Sequence, residues 1–223
     1  MGLRFDFRKQ KPNGVMSPIY SMRSEARSEA RSEAALDLRQ AVPDLRRDTP
    51  RGDPPILESV GAIGIRRPTT GDAPDMWRLA DMSGVLDSNS PYAYLMMARW
   101  FSDTCLVATQ DGGLVGFVIG FIPPRQPETV FVWQIGVDAS ARGCGLGGRL
   151  LQVLADACPR GVRFLEATVT PSNRPSESLF RAFARRRGAL CAVSNAFPSD
   201  VFPTPGHESE HLFRIGPLRH HHK

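Results

Sequence analysis

From Ile63 onward the apolar positions fall into two kinds of run: short, alternating or continuous ones bounded by turn residues, and longer ones with a helical repeat. "IGIRRPTTGDAPDMWRLADM" predicts a short strand followed by a helix, with Pro74 in its first turn. "SPYAYLMMARWF" (Ser90 to Phe101) predicts a second helix, with Ser90 as cap, Pro91 at the first helical position and one apolar face. "CLVATQDGGLVGFVIGF" reads as strand, tight turn, strand, because Asp-Gly-Gly supplies the positive φ values that a two-residue hairpin turn needs. "PPRQPE" then forms a loop, and "TVFVWQIGVD" a third consecutive strand. After a glycine-rich stretch, Leu146, Leu150, Val153, Leu154 and Ala157 repeat at helical spacing. "VRFLEATV" predicts a strand, "PSESLFRAFARRR" a helix and "HLFRIG" (His211 to Gly216) a final strand. The order β-α-α-β-β-β-α-β-α-β makes one α/β domain over residues 61–218.

Residues 1–60 have a different texture. In "RSEARSEARSEA" (Arg23 to Ala34) the i,i+4 spacing stacks Arg23 on Arg27 and Arg31, and Glu25 on Glu29 and Glu33, so like charges repel along any helix. With few large apolar residues and many prolines, this segment is expected to be a disordered leader. "RHHHK" (residues 219–223) reads as an exposed tail whose three histidines make a poor metal site without partners.

Composition narrows the function classes. The 223 residues are 41% hydrophobic and 23% charged, ordinary for a globular protein. The net charge of +5 comes from arginines scattered among acids, not from the concentrated stripe a nucleic-acid face needs. No run approaches the roughly 18 apolar residues of a membrane span, and the basic N-terminus lacks the apolar core of a secretory signal. Gly2 is followed by Asp6 where myristoylation requires Ser or Thr. Cys105, Cys144, Cys158 and Cys191 lie far apart, as expected of reduced thiols in a cytoplasmic protein rather than of disulfides or metal ligands.

The stretch "DASARGCGLGGRLLQVLADA" (Asp138 to Ala157) carries the chemistry. Gly143, Gly145 and Gly148 spell the dinucleotide fingerprint G-x-G-x-x-G, with Glu166 about twenty residues on. Arg142, Gly145 and Gly147 equally spell R-x-x-G-x-G, a loop that grips a coenzyme A pyrophosphate. Either reading sets phosphate on the amides of a helix start. A dinucleotide fold places this loop after its first strand and needs several βαβ units behind it. Here a three-strand meander precedes the loop, only about 75 residues follow it, and Glu166 sits inside its strand. The dinucleotide reading fails on position.

A meander feeding a glycine loop and helix, then a parallel strand and helix, resembles the GNAT acetyltransferases. The resemblance implies a mixed central sheet flanked by helices, with two neighbouring parallel strands splayed apart around acetyl-CoA. "LDSNSPYAYL" (Leu86 to Leu95), "VGFVIGFIPPRQPETVFVWQIGVDASARGCGLGGRLL" (Val115 to Leu151), "LEATVTPSNRPSESLFRAFAR" (Leu165 to Arg185) and "HESEHLFRIGPL" (His207 to Leu218) are similar to the L-2,4-diaminobutyrate acetyltransferases of ectoine biosynthesis. "PPRQP" before "FVWQIGVD", together with the terminal "RIGP", is more specific than the glycine loop. The implied reaction moves acetyl from acetyl-CoA to the γ-amino group of L-2,4-diaminobutyrate, on the way to a compatible solute that protects against osmotic stress. The resemblance also implies a homodimer without a metal, and leaves open a different small diamine, a polyamine or a protein N-terminus as acceptor. A non-catalytic acyl-CoA sensor is the alternative of another class.

By similarity, the coenzyme would contact Ile135, Val137, Arg142, Gly143, Gly145, Leu146, Gly147, Asn173 and Phe180. Phe180 stands where relatives often carry a tyrosine that protonates the leaving thiolate, and a phenyl ring cannot do so. Asp87 and Glu210, with Glu208 as a rival, would hold the ammonium groups. Tyr92 and Asn173 would orient polar ends, and Trp133 would wall the pocket. An alkyl amine arrives protonated at neutral pH, so a base must take its proton; Glu166 and Glu210 are the candidates and Tyr92 the candidate acid. Glu166 equally suits a structural pair with an arginine, and Asn173 a helix cap. A backbone N–H near Ile135 to Val137 would stabilise the oxyanion. Cys144 has no neighbouring histidine in sequence, so direct transfer is expected rather than an acetyl-cysteine.

Overall fold

The computed structural model describes residues 54–219 except 85, 87, 88, 160 and 204; residues 1–53 of the leader, residues 220–223 of the tail and Asp87 lie outside the described residues. Eight strands form a single mixed sheet: β1 (Ile56–Val60), β2 (Ile63–Arg66), β3 (Cys105–Gln110), β4 (Gly113–Phe121), β5 (Thr129–Val137), β6 (Phe164–Val169), β7 (Leu190–Phe197) and β8 (Glu210–Gly216). Their order is β1-β2-β3-β4-β5-β6-β8-β7. Among the described residues four α-helices accompany them: α1 (Ala73–Met82), α2 (Pro91–Trp100), α3 (Leu146–Ala157) and α4 (Arg174–Arg187).

Local sequence accounts for much of this. Asp111 (φ 50°) and Gly112 (φ 79°) form the β3–β4 hairpin turn in the left-handed region that the Asp-Gly-Gly pattern predicts. Pro91 opens α2 behind Ser90, but the Ser90 hydroxyl makes no capping bond; its carbonyl receives the Ala93 N–H instead, at 2.9 Å. Two strands depart from the sequence reading. β1 pairs antiparallel with β2, so the sheet starts at Ile56, five residues before the predicted domain start of 61. β7, an edge strand paired only with β8, was not predicted. Leu190, Val193 and Phe197 of β7 are all exposed, so no buried face imposes the alternation by which a strand is read.

Two apolar layers sandwich the sheet. Leu150, Leu154 and Leu151 of α3 and Phe180 and Phe183 of α4 pack with Val118, Val130, Val132, Leu165 and Phe213 on one face. On the other, Met76 and Leu79 of α1 and Tyr94 and Met97 of α2 pack with Val107, Phe117 and Ile119. Between Ile119↔Gln134 and Gly120↔Val132 the β4–β5 register slips by one residue, leaving Trp133 as an extra residue on β5. This bulge reverses the alternation. Val132 packs under α3 while Gln134, two residues on, faces α2, whereas a regular strand would send both to the same side. Gly120 makes room for the bulge, because a Cβ there would lie 2.8 Å from the Phe131 carbonyl oxygen.

Candidate active site

β5 and β6 are parallel neighbours that pair only from Thr129↔Phe164 to Phe131↔Glu166. Beyond that rung β5 runs on to Val137 and β6 to Val169 without pairing, and the sheet opens into a fork. A cleft of about 560 Å³ lies at its mouth. Ile135, Gly136 and Val137 line it from β5, Thr170, Ser172 and Asn173 from the turn after β6, and Arg142 and Gly147 from the glycine loop.

The loop has the geometry an anion requires. Gly143 (φ 80°) and Gly145 (φ 78°) both hold left-handed conformations, with open space where a Cβ would project. Gly145 caps α3, and the first main-chain bond of the helix is Arg149 N–H to the Gly145 carbonyl, at 3.1 Å. The amides of the first turn ahead of it therefore have no intrahelical acceptor and form the positive end of the helix dipole. Arg142 is exposed beside them, its Nε donating to the Val137 carbonyl at 3.2 Å. A phosphate group fits this donor set. The Leu146 side chain is not part of it. It is buried in the core beneath α3, and Gly147 takes its place in the wall.

α4 supplies the opposite wall. Asn173 is the helix cap expected of it, since its Oδ1 accepts from the Ser176 N–H at 3.1 Å at the start of α4, and the residue also lines the cleft. Phe180, expected on the coenzyme, is instead buried against Phe213, with ring centroids 6.3 Å apart. The helix turns Leu179 toward the cleft, together with Pro175 and Ser176. Residues 175, 176 and 179 share one helical face with the Asn173 cap, and that period is the signal that finds them.

Glu166 does not line the cleft. Its carboxylate is buried and ion-paired with Arg214 of β8, so it is committed to a guanidinium rather than presented to an amine. The Arg214 guanidinium also lies 3.9 Å from the centroid of the Phe164 ring. Glu210 begins β8, half-buried, on the face of Leu212 and Arg214, opposite that of Phe213 and Ile215, which belong to the core under α4. Its rival Glu208 is joined to the cleft directly: its Oε2 accepts from the Ser172 N–H at 3.1 Å. Tyr92 stands exposed in the first turn of α2 and Trp133 exposed on the bulge; neither lines the cleft.

The buried hydroxyl of α2 belongs instead to Tyr94, which donates to Gln134 Oε1 at 2.9 Å. Burial raises its pKa above the ordinary phenol value against the opposing effect of hydrogen bonds with Asn89 and Gln134, so it is a donor at neutral pH. Ser83 and Leu86, from the loop between α1 and α2, complete the cleft and were not foreseen. Cys144 is exposed in the glycine loop, its thiol donating to the Ala141 carbonyl at 3.0 Å. Burial pushes the thiols of Cys105 and Cys158 up to about 12. Among the described residues no helix is long and apolar enough to cross a membrane, and no cluster of three His, Cys, Asp or Glu side chains is placed to hold a metal.

A forked parallel strand pair with a phosphate loop at its mouth is the architecture of the GNAT acetyltransferases. The model of the Acetyltransferase (GNAT) family matches residues 74–184. Ard1 from Thermoplasma volcanium shares the fold at a TM-score of 0.55 and 18% identity. The L-2,4-diaminobutyric acid acetyltransferase of Halalkalibacterium halodurans is 50% identical over 167 residues, covering 74% of this chain and 86% of that protein. Its counterpart in Marinococcus halophilus is 50% identical over 162 residues, covering 72% and 93%. The diaminobutyrate acetyltransferase from Paenibacillus lautus, solved in complex with its substrate L-2,4-diaminobutyric acid and coenzyme A, is 40% identical with a TM-score of 0.67, covering 72% of this chain and 98% of that one. The chain belongs to the L-2,4-diaminobutyric acid acetyltransferases within the GNAT family.

Proposed function

We propose that this chain transfers the acetyl group of acetyl-CoA to the γ-amino group of L-2,4-diaminobutyrate, giving N-γ-acetyl-L-2,4-diaminobutyrate for ectoine synthesis. The observation that carries the reading is the joining of phosphate loop and fork in one cleft, in a chain 50% identical to named diaminobutyrate acetyltransferases. The first-turn amides of α3 and the Arg142 cation would hold the pyrophosphate. Acetyl-CoA supplies an activated thioester carbonyl. The main chain of Ile135 to Val137, released from pairing with β6, is available to donate an N–H to the acetyl oxygen as negative charge develops there. The ammonium first gives one proton to the base; the neutral nitrogen then bonds to the acetyl carbon as the carbon–sulfur bond breaks, the nitrogen loses a second proton and the thiolate gains one.

Glu210 and Glu208 are the acids near the open end of the fork, and with Asp87 they would receive the substrate's ammonium groups. With Glu166 held by Arg214, Glu210 remains as the base. Tyr92 and Trp133, exposed outside the cleft wall, would meet only the part of the substrate that projects beyond it. This reading places the enzyme in the cytoplasm, with its acetyl donor, and as a homodimer. The exposed apolar residues Leu190, Val193 and Phe197 on edge strand β7 are a surface that a second copy would cover.

The test is thiol release from acetyl-CoA with L-2,4-diaminobutyrate, ornithine, lysine and spermidine, with the product mapped by NMR. Preference for diaminobutyrate with γ-acetylation is the expected result. Preference for another amine would remove the assigned substrate, and acetyl-CoA binding without turnover of any amine would remove the enzyme.

A further inference from the structure

Ser83 and Leu86, from the loop between α1 and α2, are the part of the cleft wall contributed by neither the fork, the phosphate loop nor α4. The loop's first end is held locally, where the Ser83 hydroxyl donates to the Ala80 carbonyl at 2.7 Å and accepts from the Leu86 N–H at 3.0 Å. Its second end is held by the core. The Trp77 indole of α1 donates to the Asn89 carbonyl at 3.1 Å, and Asn89 also hydrogen-bonds the Tyr94 hydroxyl of α2. Tyr94, with no exposed surface, then reaches Gln134 on β5. Polar contacts thus run from α1 through the loop and α2 to the strand, across a layer otherwise built from Met76, Leu79, Met97, Phe117 and Ile119.

Stability alone does not call for this network. An apolar pair of the same shape would fill the space at little or no loss, because a buried neutral hydrogen bond contributes little net energy while an orphaned partner costs much more. Moreover, the network exists only because of the bulge at Trp133; a regular β5 would turn the Gln134 amide toward α3. From Gln134 the strand runs straight into Ile135 to Val137, which line the cleft. The hydrogen bond therefore joins α2, which follows the α1–α2 loop, to the start of the half of β5 that is not paired with β6.

We infer that Tyr94 and Gln134 are positioning residues for the amine substrate: their hydrogen bond sets the separation of the α1–α2 loop from the splayed half of β5, and so the fit of a four-carbon diamino acid over a longer one. The inference rests on the function proposed above. Neither side chain lines the cleft, and the phosphate loop lies outside the network, so the grip on the coenzyme's pyrophosphate is untouched.

The experiment compares the wild-type chain with Tyr94→Phe, Gln134→Leu and the double variant. Melting temperature is measured alongside KM for acetyl-CoA, L-2,4-diaminobutyrate and ornithine. Tyr94→Phe is expected to raise KM for diaminobutyrate about tenfold, the equivalent of one lost neutral hydrogen bond. KM for acetyl-CoA should stay within about twofold, and the preference for diaminobutyrate over ornithine should narrow. Each single variant takes away one side of the Tyr94–Gln134 hydrogen bond and is expected to melt lower; the double variant removes both sides and is expected to regain part of the melting temperature but not KM. Recovery of both in the double variant would reduce the pair to a structural role and overturn the inference. A joint rise of both substrate KM values, or an unchanged KM for diaminobutyrate, would overturn it as well. If the single variants do not fold, the double variant alone decides. Wild-type turnover of diaminobutyrate separates the two levels: its absence overturns the reaction together with this inference, its presence with any of the contrary results overturns the inference alone.

Discussion

Glu166 and Arg214 face each other across the β6–β8 register, and their side chains form an ion pair at the last rung where β5 and β6 still pair. The pair sits at the vertex of the fork. Arg214 also reaches the Thr129 hydroxyl of β5 at 3.5 Å, so a residue of β8 bridges both strands over the rungs that precede the fork. Glu166→Gln removes the charge under a half-buried guanidinium and is expected to cost about 1–3 kcal/mol, discounted for the exposure of Arg214. A melting temperature lowered by several degrees, with the shape of the pH–rate profile retained, is the expected outcome. A profile that loses its acid limb would return Glu166 to the role of base.

Arg142→Ala is expected to raise KM for acetyl-CoA by about tenfold, the loss of one charge-assisted contact at an exposed site, with KM for diaminobutyrate unchanged. Initial-rate measurements with each substrate varied in turn check this. Equal rises in both KM values would contradict the division of the cleft into a phosphate end and an amine end.

Gly145→Ala tests backbone geometry without crowding. Nothing lies within 4 Å of the added Cβ, so the penalty comes from φ 78° alone. It is expected to be about 1 kcal/mol, seen as weaker acetyl-CoA binding and a slightly lower melting temperature.

Gly136→Ala tests crowding without conformational strain. Its Cβ would stand 2.8 Å from Leu79 Cδ2 and 2.9 Å from Phe117 Cε1, in a layer that holds α1 against the unpaired arm of β5. Overpacking of this kind costs about 1–3 kcal/mol, which chemical denaturation would measure. Because Gly136 lines the cleft, turnover should fall in the same variant.

Asp72 gives a pH test independent of the cleft. Its two oxygens accept from the Arg66 guanidinium at 2.9 and 2.8 Å, and one of them also accepts from the Thr69 N–H and hydroxyl. Burial pushes its pKa up, but the Arg66 and Thr69 hydrogen bonds outweigh burial and leave it below its ordinary value of 3.8. A lowered carboxyl pKa stabilises the folded state above the ordinary value, and that stability is lost as the pH falls through the folded value. Asp72→Asn should therefore destabilise the protein at neutral pH and flatten its stability curve below pH 4, as followed by thermal melts across acidic buffers.

Several features of fold and site were legible in the residues themselves. The Asp111–Gly112 turn, Pro91 at the start of α2, the Asn173 cap and the glycine loop each depend on a few neighbouring residues and on the φ values those residues favour. The cleft residues Ile135, Val137, Arg142 and Gly147 followed from that loop and its strand. The orientation of other residues needed long-range information. Motif position puts Phe180 and Leu146 beside the coenzyme, but the phases of α4 and α3 bury both side chains and turn Leu179 and Gly147 toward the cleft, leaving Leu146 only its main-chain N–H to offer. Tyr92 and Tyr94 both follow Pro91 closely, and only packing decides that Tyr94 is the one buried on Gln134.

The sequence by itself determined the order of most elements, the hairpin, the phosphate loop and the family resemblance, because these reside in local propensity and in short motifs. Tertiary structure alone decided the bulge at Trp133, the rung at which β5 and β6 part, the edge strand β7, and the pairing of Glu166 with Arg214. Strand register and ion-pair partners link residues tens of positions apart. They are fixed when whole layers find their closest packing, and no window of neighbouring residues encodes that outcome.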